Sequence, residues 1–284
     1  MLSAQCSVTE NREPRTEPPP SPNADCKFPA LRCMLPATTM LKLGVNIDHV
    51  ATLRQARYAR MPGAHHEEPS ILEAARECET AGAHSITIHL REDRRHIQDR
   101  DVHLLRRELR VPLNLELGNT PEIVALACEL CPAFVCMVPE NRQEITTEGG
   151  LDVAGMRDAV EPSIRRLQAA GVRVSLFIDP DPQQVAAAGA LRADMIELHT
   201  GAYAHETGAA RESELTRLIA AGAAGHALGL QINAGHGITT GNLPPLKAIP
   251  HLVELNIGHH LVSRAIIIGL RAAVREMLEA MNDA

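Results

Sequence analysis

The residues of this chain that are able to move protons or hold anions recur at the ends of short apolar runs. Asn46, Asp48 and His49 end the first run, and His89 and Arg91 the second. Then come Asn114 and Glu116, Glu140, Asp179, Glu197 and His199, Asn233 and His236, and Asn256 and His259. Glu116, walled by aliphatic neighbours, would have its pKa raised by desolvation and so suit a general acid or base. The alternative is a carboxylate paired to a nearby arginine. His89 and His236 offer imidazoles that exchange protons near neutral pH. Two imidazoles and a carboxylate also describe a metal site. Glu197 and His199 alternate and therefore share a strand face. Glu197 there orients a base, stabilises a cation such as an iminium, or sits in a buried ion pair. Arg57 and Arg91 are candidate phosphate clamps, because a guanidinium binds phosphate bidentately. The mixed-sign stretch Arg91–His96 also reads as a self-paired surface loop.

Residues spread over so much sequence meet only if the fold brings the run ends together. Eight runs, 42–47, 85–89, 112–116, 134–138, 173–178, 195–198, 230–233 and 253–257, alternate with helix-like stretches. That alternation predicts an α/β fold, a (β/α)8 TIM barrel, whose strand C-termini share one rim. Helices are expected at about 69–81, with Pro69 in the first turn, and at 99–109. Others are expected from Pro121 with Thr120 as N-cap, then at 153–169, from Pro182, at 205–228 and at 261–281. Between residues 139 and 150 lies a longer loop rich in Glu, Thr and Gly, of the kind that often covers a binding site. Asn233-Ala-Gly-His and Asn256-Ile-Gly-His repeat at successive strand ends. In many barrels that region holds phosphate on backbone N–H groups; otherwise its glycines simply make tight turns.

Composition narrows the class. The 284 residues suit one barrel of roughly 250 residues plus an extension. Aromatics make up 2% with no Trp, so the core must be aliphatic, and buried parallel strands are expected as continuous apolar runs. A formal net charge of −7 argues against a nucleic-acid protein. No apolar stretch approaches the ~20 residues of a membrane span. Residues 1–39 are proline-rich and without period, and are expected to be a disordered extension. Residues 40–284 are expected to form the single catalytic domain, with Met40 as an alternative start. Cys128-x-x-Cys131 has no second pair, which is weak grounds for zinc or redox chemistry.

Several stretches together resemble the pyridoxine 5′-phosphate synthase family. They are Gly44-Val-Asn-Ile-Asp-His-Val-Ala-Thr-Leu-Arg54, His89-Leu-Arg-Glu-Asp-Arg-Arg-His96, the segment from Val138 to Asp152, Asn233-Ala-Gly-His-Gly237 and Glu254-Leu-Asn-Ile-Gly-His259. The resemblance runs from about Leu41 to the C-terminus. It implies a cytoplasmic transferase of vitamin B6 synthesis, commonly an octamer built from dimers, with no organic cofactor and no catalytic metal. Its substrates would be the small phosphorylated molecules 3-amino-2-oxopropyl phosphate and 1-deoxy-D-xylulose 5-phosphate, condensed to pyridoxine 5′-phosphate with release of phosphate and water. By the family pattern His89 and Glu116 accept protons, His236 donates one, and Glu197 is an electrostatic stabiliser. Asn46, Arg57, Gly237, Gly258 and His259 would hold the aminoketone phosphate. Asp48, His49, Arg91, His96 and Thr146 would hold the deoxyxylulose phosphate. The loop at 139–150 resembles the family's closing lid. Two departures stand out: the segment 58–68 is longer than expected, and Asn141 stands where a basic residue is common.

Two other classes compete. A phosphosugar aldolase or isomerase on the same barrel is one, but a Schiff-base aldolase needs a rim lysine, and Lys42 and Lys247 stand at the wrong places. A barrel that only binds a phosphorylated metabolite is the other; it would lack a complete acid/base set.

Overall fold

The computed structural model describes residues 40–141, 144 and 149–283. The strands β1 (Lys42–Asn46), β2 (Ser85–His89), β3 (Leu113–Leu117), β4 (Phe134–Met137), β5 (Arg173–Ile178), β6 (Met195–His199), β7 (Gln231–Gly235) and β8 (Leu252–Ile257) close into one parallel barrel in sequence order. Around it run α1 (Asp48–Tyr58), α2 (Ile71–Ala81), α3 (Asp99–Glu108), α4 (Pro121–Leu130), α5 (Arg157–Ala169), α6 (Pro182–Ala190), α7 (Gly201–His205), α8 (Gly208–Ala227), α9 (Leu243–Leu246), α10 (His259–Ile268) and α11 (Leu270–Asn282). None of the described helices is long and apolar enough to cross a membrane.

The strands alternate instead of running apolar throughout. In register, Ile88 of β2 stands beside Leu115 of β3, which stands beside Val135 of β4, all buried and all facing the helices. The next residue along, His89, Glu116 and Cys136, faces the barrel interior. The expectation of continuous apolar strands is therefore corrected, because the interior of this barrel is polar. The longer helices close the outer layer with apolar faces, as α11 does with Ala273, Val274, Met277 and Met281.

Helix boundaries differ from the sequence expectation at several points. α1 is not among the helices expected from the sequence. It begins directly at the rim with Asp48 and is tied to α3 by a buried bidentate pair, Arg54 Nη1 and Nη2 to Asp101 at 2.7 Å each. α2 starts at Ile71, not Pro69, because Ser70 is its N-cap and accepts from the Glu73 N–H. Thr120 occupies the N-cap position of α4, but its hydroxyl caps nothing and is buried without a partner. The expected helix at 205–228 is α8, and the short α7 before it is an addition to the expected set. The expected helix at 261–281 breaks at Gly269, whose φ of +84° an L side chain rarely adopts.

Candidate active site

At the mouth of the barrel, β1 to β4 deliver a cluster of carboxylates around an imidazole. Asn46, the last residue of β1, donates from Nδ2 to Asp48 Oδ2 at 3.0 Å and to Glu116 Oε2 at 3.4 Å. Asp48 receives the His89 N–H on Oδ1 at 2.8 Å. One amide thus braces the two acids, and one of those acids braces the strand that carries His89. Burial pushes the Asp48 carboxyl up to about 6, against the pull of its His89 and Asn46 hydrogen bonds. Burial also raises Glu116 well above the ordinary range, and the nearby Asp48 and Glu197 charges raise it further. A carboxyl raised in this way is better suited to giving and taking protons than one in the ordinary range.

Glu197 lies deeper, on β6. Asn256 Nδ2 donates to its Oε2 at 2.6 Å, and the Cys136 thiol points at the same oxygen from 3.9 Å. Its partner is an amide, so the buried-ion-pair reading is not what the structure shows. Burial pushes this carboxyl up to about 7. Space for it comes from Gly235 on β7, where any Cβ would fall 2.2 Å from Glu197 Oε1. Gly235 therefore serves the carboxylate as well as the turn that follows.

Across the mouth, His199 and His236 meet edge to face with centroids 5.1 Å apart, and Phe177 packs on His199 at 5.0 Å. Asp179 Oδ1 holds His199 Nδ1 at 2.9 Å. His236 has a φ of +82°, an uncommon conformation for a non-glycine residue. Thr200 fixes the turn from below, its hydroxyl reaching the carbonyls of Gly235 and His236 at 2.8 and 2.5 Å. Burial and then the charges of His199 and His205 hold His236 below the usual imidazole range.

The two anion-binding groups assemble unevenly. His49 and His259 bring the ends of β1 and β8 together, their rings edge to face at 5.0 Å. Gly258 is the N-cap of α10 and packs its backbone against the Asn46 side chain. The first-turn amides of such a helix lack intrahelical acceptors and favour an anion. Gly237 follows His236 with a φ of +72°. His96 stands 6.1 Å from His89, and burial followed by the His89 and Arg91 charges pushes it down to about 4. Arg91 lies at the same side but spends its Nε on Asp93 at 3.3 Å. Arg57 is not brought to this cluster. It is exposed in the last turn of α1, nine residues and about 13.5 Å of helix from the rim. Thr146 lies outside the described residues, as does part of the loop expected to be a lid.

Two carboxylates that the sequence placed at strand ends, without a role at the site, are partners of histidines. They are Glu140, on His89 Nε2 at 3.0 Å, and Asp179, on His199. The signal is their position, three and one residues past a strand, at the same rim as the other candidates. For a metal, Asp48, His89 and Glu116 are the one trio among the described residues whose ligand atoms converge, within 4.8 Å of one another. The Asn46 amide donor already bridges the two carboxylates there, so a cation would have to displace it. Cys128 and Cys131 sit far from this rim at the end of α4, where Cys131 Sγ approaches the Cys128 carbonyl at 3.1 Å.

Residues 43–283 match the family model described as pyridoxal phosphate biosynthesis protein PdxJ. The chain is 54% identical over 241 residues to the pyridoxine 5′-phosphate synthase of Akkermansia muciniphila, covering 84% of this chain and 98% of that one. It is 55% identical over 244 residues to the protein of the same name from a Synechococcus species, covering 86% and 99%. Among solved structures, KGPDC from Streptococcus mutans superposes with a TM-score of 0.59 at 8% identity, covering 86% of this chain and 98% of that one. At such identity the likeness concerns the barrel alone.

Proposed function

Because the chain belongs to the pyridoxal phosphate biosynthesis protein PdxJ family, we propose that it is an enzyme that makes pyridoxine 5′-phosphate, and that the rim of its barrel performs the ring-closing condensation. The substrates are 3-amino-2-oxopropyl phosphate and 1-deoxy-D-xylulose 5-phosphate, which places the enzyme among the transferases. What carries the reading is the trio Asp48, His89 and Glu116 around the Asn46 amide. Joining an amine to a ketone and closing a ring needs repeated proton transfer at one place. Acids lifted toward neutrality beside an imidazole provide it.

Glu116 and His89 take protons from the condensing carbons and nitrogen. Glu197, below them, faces the cationic stage of the imine and stabilises it by charge. His236 gives a proton to a departing oxygen. Burial and the His199 and His205 charges hold its imidazole below the usual range, and a dianionic phosphate nearby favours the charged form. Asn46, Gly237, Gly258 and His259 hold one phosphate, with the start of α10 as its amide cradle. Asp48, His49, Arg91, His96 and Thr146 take the other substrate. Arg57 would have to reach the site from the far end of α1.

The family resemblance also supports a cytoplasmic homo-octamer, a tetramer of dimers. The side chains of Ile266 and Ile267 on α10, each 76% exposed, offer apolar surface to such an assembly. Sedimentation of the purified protein reads its mass directly.

The test of function incubates purified protein with both phosphates and excess chelator, and measures pyridoxine 5′-phosphate by absorbance and mass. Product is expected, and turnover in Glu116→Gln should fall by about 10²–10⁴-fold, the range for a positioned acid or base. Folded protein giving no product, even with metal restored, would leave a phosphosugar aldolase or isomerase, or a phosphate-binding barrel.

A further inference from the structure

The His89 ring is held by one nitrogen only. Its Nε2 lies 3.0 Å from Glu140 Oε1, and Nδ1 has no protein partner among the described residues. The two side chains are 12% and 5% exposed, so water competes little for this contact. Glu140 is built to accept and not to donate. Oε1 also takes the Gly118 N–H at 3.1 Å, and Oε2 takes the Glu92 N–H at 3.0 Å. With both oxygens facing N–H donors, the carboxyl is ionised. Burial works against that, and the His89 and Glu92 hydrogen bonds with the His89 and Arg91 charges outweigh it, holding Glu140 below the ordinary range. An ionised carboxylate opposite Nε2 requires the proton to sit on Nε2. The backbone of Glu140 is fixed in turn, since Glu144 Oε2 accepts the N–H groups of Glu140 at 2.8 Å and Asn141 at 3.2 Å.

We propose that Glu140 is a positioning residue for the condensation: by holding His89 through Nε2–H it fixes the tautomer in which the lone pair of Nδ1 faces the substrate as the proton acceptor. The proposal rests on the reading of His89 as a base. When Nδ1 takes a proton from substrate, the ring becomes an imidazolium. Its positive charge then lies against the Glu140 carboxylate, which favours that state without itself taking the proton. The charged and titratable groups around His89 are Asp48, Arg91, His96, Glu116 and Glu140. Glu140 is the one whose carboxylate is bonded to the ring.

The experiment compares the full-length protein with Glu140→Gln, Glu140→Asp and His89→Asn in the condensation assay across neutral pH. Glu140→Gln keeps the size but presents an amide that can donate to Nε2 and favour the other tautomer. Its kcat is expected to fall by about 10²–10⁴-fold. KM for both phosphates should stay within about threefold, because no substrate contact is lost. The acid limb of its profile should move to lower pH, since the imidazolium has lost its counter-charge. Glu140→Asp should recover part of kcat. Added to His89→Asn, the Gln substitution should cost nothing further.

Wild-type kcat and pH profile in Glu140→Gln, with His89→Asn inactive, would overturn the role of Glu140 and leave that of His89. Full activity in His89→Asn would overturn the reading on which the proposal rests. Should Glu140→Gln fail to fold, nitrogen-15 spectra of the unsubstituted protein decide: a protonated Nε2 with a bare Nδ1 on His89 supports the proposal, and the reverse tautomer overturns it.

Discussion

The two faces of the same eight strands are made of different matter. Outward, toward the helices, stand Leu43, Val45, Ile86, Ile88, Leu115, Val135, Leu176 and Ile196, all fully buried. Inward stand Ser85, Thr87, Asn114, Ser175, Glu197, Asn233, Glu254 and Asn256, buried as well. Barrels of this kind ordinarily fill their interior with branched aliphatic side chains. Here hydrogen bonds replace much of that packing and run in one direction. Asn114 donates to Thr87 at 3.2 Å, Thr87 to Asn256 at 3.1 Å and Asn256 to Glu197 at 2.6 Å. The chain of donors ends on a carboxylate directly beneath the rim acids. The outer wall therefore supplies most of the hydrophobic stabilisation, and the inner wall orients and desolvates acids. Buried polar groups without partners are costly, and an inner wall this polar is retained only where nearly every member is bonded.

The sharpest way to break that division is at neighbours on one strand. Leu115 and Glu116 are adjacent but face opposite walls. Leu115→Ala should cost about 2–5 kcal/mol of stability through lost burial and a residual cavity. Its turnover per folded molecule should stay near the unsubstituted value. Glu116→Gln should do the reverse, losing activity while its denaturation midpoint holds or rises, since an amide of the same size replaces a carboxyl whose charged form is disfavoured by burial and by the neighbouring Asp48 and Glu197. Equal losses of both properties in both variants would mean the two walls are not separable.

A second contrast is in pH dependence, which the aliphatic wall cannot show. The Glu197 carboxyl stands at about 7 in the folded protein against an ordinary 4.5. Between those values the folded state keeps a proton that the unfolded chain has released. Stability is therefore highest at the acid side of this window and falls as pH rises through the folded value. Asp48, raised to about 6, adds to the same slope. Glu197→Gln should flatten the decline by about 1–3 kcal/mol, at roughly 1.4 kcal/mol for each tenfold change in proton affinity. Urea midpoints measured on either side of the window check this, and an unchanged slope would mean that Glu197 stays ionised throughout.

The rim was more legible in the sequence than the wall beneath it. His89, Glu116, Glu197 and His236 each close or follow an apolar run, and a barrel carries such residues to one mouth whatever the connecting helices do. The polar interior was present as alternation, Ser85-Ile-Thr-Ile-His89 and Leu113-Asn-Leu-Glu-Leu117, but an expectation of uniformly apolar parallel strands hid it. The roles of Glu140 and Asp179 were not legible, because a histidine's partner is chosen by tertiary distance and not by spacing along the chain. α1 was obscured by its composition. Arg54, which anchors it, looks like a surface residue until Asp101, 47 positions away, comes within 2.7 Å.

The smallest effect distinguishes a polar group that is used from one that only occupies the right position, now at the starts of two outer helices. Asp181 caps α6 by accepting the N–H groups of Gln183 and Gln184 at 2.8 and 3.2 Å. Thr120 has the corresponding place at α4, with Pro121 after it as Pro182 follows Asp181, yet its hydroxyl is bonded to nothing. A capping side chain contributes about 1 kcal/mol, and up to about 2 in favourable cases. Asp181→Ala should lose that amount, whereas Thr120→Ala should stay within about 0.5 kcal/mol of the unsubstituted protein, because it removes an unpaired buried hydroxyl and no hydrogen bond. Thermal denaturation of the two variants side by side measures the difference. A loss at Thr120 as large as that at Asp181 would show that its hydroxyl finds a partner in solution, and would return the N-cap that its position in the sequence led us to expect.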